Sequence, residues 1–497
     1  MTPPNTRRLM RRRLTTLGVG LFALCALVAP RLSGAESAAA ARSWLRKRLA
    51  ALQQDPRLAG AKLSALVVGP GRSAKPIFAA DAHRPVSVAS NAKLLTSAAL
   101  LASLGADYRF KTAIYGEQKG AVVEGDLCLE ARGDPSLTDA HLWRIARDLY
   151  AGGLRRVSGG LKLDLSYFDG KTLPPLFETR RSDAYYRPAV GALSINENVV
   201  RVRVQAGAAP GDPARVSVEP RSRYVRVRSD VRTVAGRRRS WIGLRTRGRG
   251  LRTEVRVRGR VRVGYRGRPW RKRIAHPDRF AAATLLGLLA RRGIKLGQTT
   301  VGRCKAPKKA RALYVHASRP LGELVRRMNK VSSNFMAEQL LKVLGAERYG
   351  APGSAAKGLK AVAEHLATIG VPRGSYTLKN GSGLYEASAI SPAQIVAVLR
   401  AAYHDFRYGP DYLASLAISG ADGTLAHRFV GSGAERYVRA KTGTLSKVIA
   451  LSGVAGASKR RRLLFAFVVT ELPKGAIRKA RAVVDEMARA LVTYLER

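Results

Sequence analysis

The stretch Pro85-Val86-Ser87-Val88-Ala89-Ser90-Asn91-Ala92-Lys93-Leu94-Leu95 runs from an extended segment into an apolar helix that continues through Ala98 and Leu101. Ser90 and Lys93, three residues apart at the start of that helix, fall on one face. A serine hydroxyl is a poor nucleophile until a neighbour takes its proton, and a lysine can do so when burial or nearby cations lower its pKa. The first helical turn adds a positive helix end beside a developing oxyanion. Taken alone, the pair reads just as well as an N-cap serine with a solvated lysine, because Ser-x-x-Lys arises by chance in long chains.

Two further stretches weigh against chance. Ser332-Ser333-Asn334 lies between Met328-Asn329-Lys330 and a helical run, Phe335 to Leu344. A hydroxyl and a carboxamide two positions apart can flank a nucleophile, the first passing a proton to a leaving amine and the second binding a peptide carbonyl. Lys441-Thr442-Gly443-Thr444 sits on a strand-like run that begins at Tyr437. There the lysine and threonine can bind a terminal carboxylate, and the glycine is expected to let a substrate backbone approach closely. Each alone is an ordinary turn; in this order, each in its setting, they form the triple signature of serine penicillin-binding proteins and β-lactamases.

The chain around the motifs resembles the D-alanyl-D-alanine carboxypeptidase/endopeptidase family, the low-molecular-mass class C penicillin-binding proteins of the penicillin-binding protein 4 type. That family inserts a long segment between its first two motifs, as here between Lys93 and Ser332. Gly133-Asp134-Pro135-Ser136-Leu137-Thr138 and Ala192-Leu193-Ser194-Ile195-Asn196-Glu197-Asn198 resemble family landmarks inside the insert. Ala337-Glu338-Gln339-Leu340, Gly381-Ser382-Gly383-Leu384 with Ser391-Pro392, and Gly420-Ala421-Asp422-Gly423-Thr424-Leu425 resemble landmarks beyond it. The resemblance spans about Val86 to Val454. It departs at two places: the middle residue of the second motif, often Asp, is Ser333, and the usual Asp-Gly-Ser-Gly-Leu-Ser reads Asn380-Gly381-Ser382-Gly383-Leu384-Tyr385.

The resemblance implies an α/β (α+β) fold: a serine transpeptidase/β-lactamase-like domain, its antiparallel sheet flanked by helices, carrying a β-rich insert of two subdomains. The expected division is 36–105 with 309–497 for the discontinuous catalytic domain and 106–308 for the insert, itself split into 106–122 with 194–308, and 123–193. It further implies Ser90 as acylated nucleophile, Lys93 as its base, Ser332 and Asn334 as proton relay and substrate clamp, and Lys441 and Thr442 as carboxylate holders. The backbone amides of Ser90 and Thr444 are the implied oxyanion hole. Peptidoglycan stem peptides are the implied substrate, β-lactam antibiotics covalent inhibitors, and no metal or organic cofactor is called for.

The rest of the chain agrees with an exported enzyme. Arg7, Arg8 and Arg11 to Arg13, followed by apolar Leu14 to Ala29 and by Ser33-Gly34-Ala35, read as a secretory signal over residues 1–35. The apolar stretch is shorter than the roughly 20 residues of a spanning helix, with an uncleaved anchor as the alternative. The expected location is therefore periplasmic or cell-wall associated. With 497 residues and 46% apolar content, two or three folded units are expected. A net charge of +55 suits polyanions, and the signal excludes nucleic acid in favour of anionic wall polymer or a membrane surface. The densest basic run, Arg221 to Arg273, alternates apolar and basic residues as strands with one basic face do. Cys128 and Cys304 could pair or stay separate thiols.

Rival readings have weaker support. The chain contains no His-Glu-x-x-His and no Gly-x-Ser-x-Gly, which disfavours a metallo-carboxypeptidase and a Ser-His-Asp hydrolase. His83 and His427 read as surface or loop residues. A β-lactamase or esterase of the same fold shares the acyl-enzyme chemistry, and the long insert speaks against it. A non-catalytic wall- or polyanion-binding protein is motivated by the basic run and disfavoured by the complete motif set.

Overall fold

A computed structural model describes residues 34–497, apart from 180, 181, 237, 238, 308, 459 and 460, with side chains from residue 38 onward. The expected signal peptide lies outside the described residues except for Gly34 and Ala35, which open the helix Gly34–Gln53. Among the described residues, no helix is long and apolar enough to cross a membrane.

The centre is an antiparallel sheet in the order Ala417–Ile418, Val438–Leu445, Val448–Gly456, Arg462–Thr470, Lys62–Val68, Pro76–Ala80. Arg462–Thr470 carries an almost unbroken apolar run because both its faces are covered. Leu463, Phe465, Phe467 and Val469 point to one core; Leu464, Ala466 and Val468 point to the other. That alternation is the period-two geometry of a strand. The first core is closed by Leu45 and Leu49 of Gly34–Gln53 and by Val483, Met487 and Leu491 of Ile477–Glu496. The first and last described helices therefore pack together on one side of the sheet.

On the other side, Ala92–Leu104 is buried almost all round, as an apolar helix at the centre of a domain should be. Asn334–Tyr349 and Pro392–His404 pack about it through Leu340, Leu344, Ile395 and Leu399. The strands expected at Leu63 to Val68, Val448 to Val454 and Leu463 to Thr470 and the helices expected at Leu94 to Leu104 and Ala476 to Leu495 are present, with ends shifted by one or two residues.

The insert leaves and re-enters through neighbouring strands, since Lys111–Ile114 pairs antiparallel with Tyr314–Ala317. This moves the re-entry past residue 308, because Tyr314–Ala317 still belongs to the insert's sheet. The division expected between 122 and 123 also falls inside one strand, Val122–Ala131, which pairs with Lys111–Lys119 on one edge and with Leu161–Asp164 on the other. Strand pairing instead groups Lys111–Asp164 with Lys295–Ala317 in one sheet. The strands between Val199 and Arg273 form two separate three-stranded sheets. Alternation within single strands does not report which distant strands pair.

Cys128 and Cys304 form a disulfide across 176 residues of sequence. Cys128 lies on the strand Val122–Ala131, and Cys304 directly follows Val301–Arg303 of the same sheet. Closing so long a loop restricts the unfolded chain, and removing a native disulfide of this kind costs roughly 2–5 kcal/mol. The double variant Cys128→Ser/Cys304→Ser is therefore expected to unfold at lower temperature in calorimetry, and reductant should lower the wild-type transition while leaving that of the variant unchanged.

Candidate active site

Ser90 lies on a single 3-10 turn, Ala89–Asn91, that feeds the helix Ala92–Leu104. Ala89 is held at φ +48°, an uncommon conformation for a residue with a Cβ. The turn is pinned from behind by Asn91, whose Nδ2 donates to Ser452 Oγ at 2.8 Å. Gly443 lies against the same turn: a Cβ there would meet the Val88 carbonyl oxygen at 2.7 Å. The missing side chain of Gly443 therefore lets its strand close on the turn that carries Ser90.

Lys93 is completely buried. Its Nζ lies 2.9 Å from Ser90 Oγ, 2.7 Å from Asn334 Oδ1 and 2.9 Å from the Ser382 carbonyl oxygen. Burial lowers its pKa to about 7, partly opposed by the nearby carboxylate of Glu338. A neutral amine has two N–H groups and one lone pair. The amide oxygen and the carbonyl take the two N–H groups, which leaves the lone pair for the serine hydroxyl.

Ser332 and Lys441 form the opposite wall. Lys441 Nζ donates to Ser332 Oγ at 2.9 Å and to the Thr442 carbonyl at 2.8 Å. Burial, with the charge of Lys93 second, pushes its pKa well below the usual lysine value. Thr442 Oγ1 bonds Thr424 Oγ1 at 2.9 Å. The Val438 N–H donates to Ser419 Oγ, on the side away from Val448–Gly456. In a period-two ladder Thr442 and Thr444 present their backbone groups on that same open edge. Ser90, Lys93, Ser332, Asn334, Lys441 and Thr442 are thus brought together by two helix starts and one strand edge. His83 and His427 are exposed and take no part.

Residues 45–491 match the D-Ala-D-Ala carboxypeptidase 3 (S13) family. The chain belongs to this family. It is 32% identical over 437 residues to a D-alanyl-D-alanine carboxypeptidase of Actinomadura sp. (strain R39), covering 84% of this chain and 80% of that one. Its fold matches the crystal structure of penicillin binding protein 4 from Haemophilus influenzae with a TM-score of 0.76 at 23% identity, over 89% of this chain and 98% of that one. The same protein complexed with a β-lactam matches with a TM-score of 0.72 at 24% identity, over the same shares of the two chains.

Both departures of this S13 chain acquire a physical account. Ser333 caps the helix Asn334–Tyr349, its Oγ accepting from the Met336 N–H at 3.2 Å. Serine and aspartate both cap a helix, and the serine hydroxyl in addition donates to Glu197 Oε2 at 3.2 Å, which an aspartate could not do. Asn380 keeps the acceptor that an aspartate would offer, its Oδ1 taking the Gly383 N–H at 2.9 Å. It adds a donor, Nδ2, aimed at the Pro175 carbonyl of the insert at 3.1 Å. Tyr385 packs edge-on against Phe177 and lies under the Arg187 guanidinium. Asn334 Nδ2 donates to the Tyr186 carbonyl at 2.9 Å, so Pro175, Tyr186 and Arg187 of the insert wall one side of the site.

Glu338 is the residue whose role sequence reasoning did not assign. It stands four positions after Asn334 on one helix face, completely enclosed, and accepts from the backbone N–H groups of Ser382 at 2.8 Å and Gly381 at 3.2 Å. Burial raises its pKa, against these hydrogen bonds. Glu338 thereby fixes the strap whose Ser382 carbonyl holds Lys93. A carboxylate within the apolar run Phe335 to Leu344 was the available signal.

Two outcomes follow from this geometry. Removing the charge in Glu338→Gln takes away a field that favours the ammonium form, so the titration midpoint of Lys93, followed by NMR of labelled lysine, should fall below that of the wild type. Gly443→Ala should displace the Ser90 turn and cut the rate of penicillin acylation at least tenfold while the protein stays folded by circular dichroism.

Proposed function

We propose that this chain is an exported serine-type D-alanyl-D-alanine carboxypeptidase that also has endopeptidase capacity, acting on peptidoglycan stem peptides through an acyl-enzyme on Ser90. The observation that carries the reading is the buried amine of Lys93, whose Nζ lies 2.9 Å from Ser90 Oγ with Asn334 Oδ1 and the Ser382 carbonyl as its other partners; in the neutral form those two take its N–H groups and its lone pair faces the serine hydroxyl. Ser90 Oγ attacks the carbonyl carbon of the penultimate D-alanine while its proton passes to Lys93 Nζ. The oxyanion that forms accepts from the backbone N–H groups of Ser90 and Thr444, which bind it more strongly than the ground-state carbonyl.

Collapse of the intermediate breaks the peptide bond, and the proton that Lys93 Nζ received passes by way of Ser332 and its partner Lys441 to the leaving amine, which returns Lys93 to its neutral form. Lys441 and Thr442 hold the terminal carboxylate, while Asn334 clamps the stem. Water, activated by Lys93 in the reverse sense, then attacks the ester and frees Ser90. A β-lactam enters the same sequence and stalls as a slowly hydrolysed ester. Turnover of the stem ester and persistence of the β-lactam ester separate this reading from that of a β-lactamase.

The chemical test is covalent. Incubating the purified protein with a labelled penicillin is expected to place the adduct on the peptide containing Ser90, and Ser90→Ala should carry none; label on another residue overturns the assignment. Because the neutral amine is the active form, the acylation rate should rise with pH through a midpoint near pH 7 and then level off. Released D-alanine, measured against cleaved cross-linked dimer, gives the balance of carboxypeptidase and endopeptidase action.

A further inference from the structure

The basic run of the insert folds into one three-stranded sheet, with Val225–Val234 and Trp241–Arg249 on either side of Arg252–Arg262. Its register sorts the side chains by face. Arg245 lies opposite Arg256, which lies opposite Arg228; Trp241, Arg260 and Arg232 form another row. One face therefore carries eleven exposed arginines against two carboxylates, Asp230 and Glu254. The other face turns Val231, Val255, Val257 and Val261 into the insert's core.

Glu254 is buried and already shared by Arg228, Arg249 and Arg256. Among the described residues, the remaining eight arginines of the face have no carboxylate within salt-bridge distance. Side chains on one face recur about every 6.7 Å along a strand and about 4.8 Å across strands. The result is a flat grid of planar guanidinium forks, each suited to bidentate binding of phosphate or carboxylate. Trp241 is 60% exposed at the end of the grid and lies over Gly243, a flat apolar surface on which a sugar ring can stack.

We propose that this face binds an extended linear polyanion of the cell wall, carrying one phosphate or carboxylate per repeat. The choice of a wall polymer rests on the reading of the chain as an exported wall enzyme. Its charges in line match rows of arginines along a strand. A bilayer surface calls for a contiguous apolar patch beside the basic groups, and within the three strands this face exposes Trp241 as its one large apolar side chain.

The grid also has a physical connection to the catalytic residues. A cleft of about 1450 Å³ runs beside it, lined by Arg245, Arg247, Arg249 and Arg256 and closed by Asp183. Asp183 Oδ2 accepts from the Thr246 N–H of the sheet at 2.8 Å. The same short segment continues to Tyr186, whose carbonyl accepts from Asn334. A polymer seated on the grid is held next to the site, which raises the effective concentration of stem peptides on the glycan that bears it.

The test uses the whole protein with poly(glycerol phosphate) and polygalacturonate as polymer probes. Binding to either probe is expected, weakening steeply with salt. In the variant Arg226→Gln/Arg245→Gln/Arg247→Gln/Arg258→Gln, the slope of log affinity against log salt should fall by about 3, at roughly 0.7–0.9 per lost contact. A control, Arg144→Gln/Arg291→Gln/Arg311→Gln/Arg478→Gln, removes equal charge elsewhere and should leave that slope close to the wild-type value. Equal loss in both variants, binding to neither probe, or tighter binding to phosphatidylglycerol vesicles than to the polymers would each overturn the proposal. Penicillin adduct formation, measured in parallel, should be unchanged in both variants; its failure in the wild type would count against the enzyme reading and not against the face.

Discussion

An amine at the centre of a protein is costly to enclose, and the catalytic half of this fold is arranged around that cost at Lys93. An ammonium stripped of water needs every proton satisfied or must lose one. Asn334, from beyond the insert, supplies one acceptor, and the Ser382 carbonyl supplies a second. Neither partner is local to Lys93 in sequence. The catalytic domain therefore cannot complete its centre from either half of the chain alone, and the helices starting at Ala92 and Asn334 must pack side by side.

The same constraint explains the strain gathered around the site. Ala89, Ser332 and Tyr385 all adopt positive φ without being glycine. Each stands where the backbone must turn sharply to present a hydroxyl, a carbonyl or a ring to the centre, and the packing of three surrounding helices over-determines those turns. Gly383 relieves a fourth such place, since a Cβ there would lie 2.0 Å from the Ala89 carbonyl oxygen. Rigid apolar packing below thus holds reactive polar geometry above.

What could be read in the sequence was what short stretches determine. Ser90 to Lys93, Ser332 to Asn334 and Lys441 to Thr444 carry their settings with them, a helix start or a strand, and the alternation in Arg462–Thr470 declares a strand covered on both faces. The fold class followed from the family resemblance that those motifs anchor. The strand pairing within the insert, the Cys128–Cys304 pair, the seating of Asn380 on Pro175 and the contacts of Glu338 depend on segments far apart in the chain. The closeness of Gly443 to the Val88 carbonyl is likewise invisible in the sequence, since the two lie on segments far apart in the chain.

The disulfide has a consequence for the integrity of the active centre. Ser90 and Lys93 precede the insert, whereas Ser332, Asn334 and Lys441 follow it, so the insert is the sole peptide link between the two halves of the centre. Cys128–Cys304 joins the halves a second time, near the point where the entering and leaving strands run side by side. A chain cut once anywhere between those cysteines remains one covalent molecule, with Ser90 and Lys93 still joined to Ser332, Asn334 and Lys441.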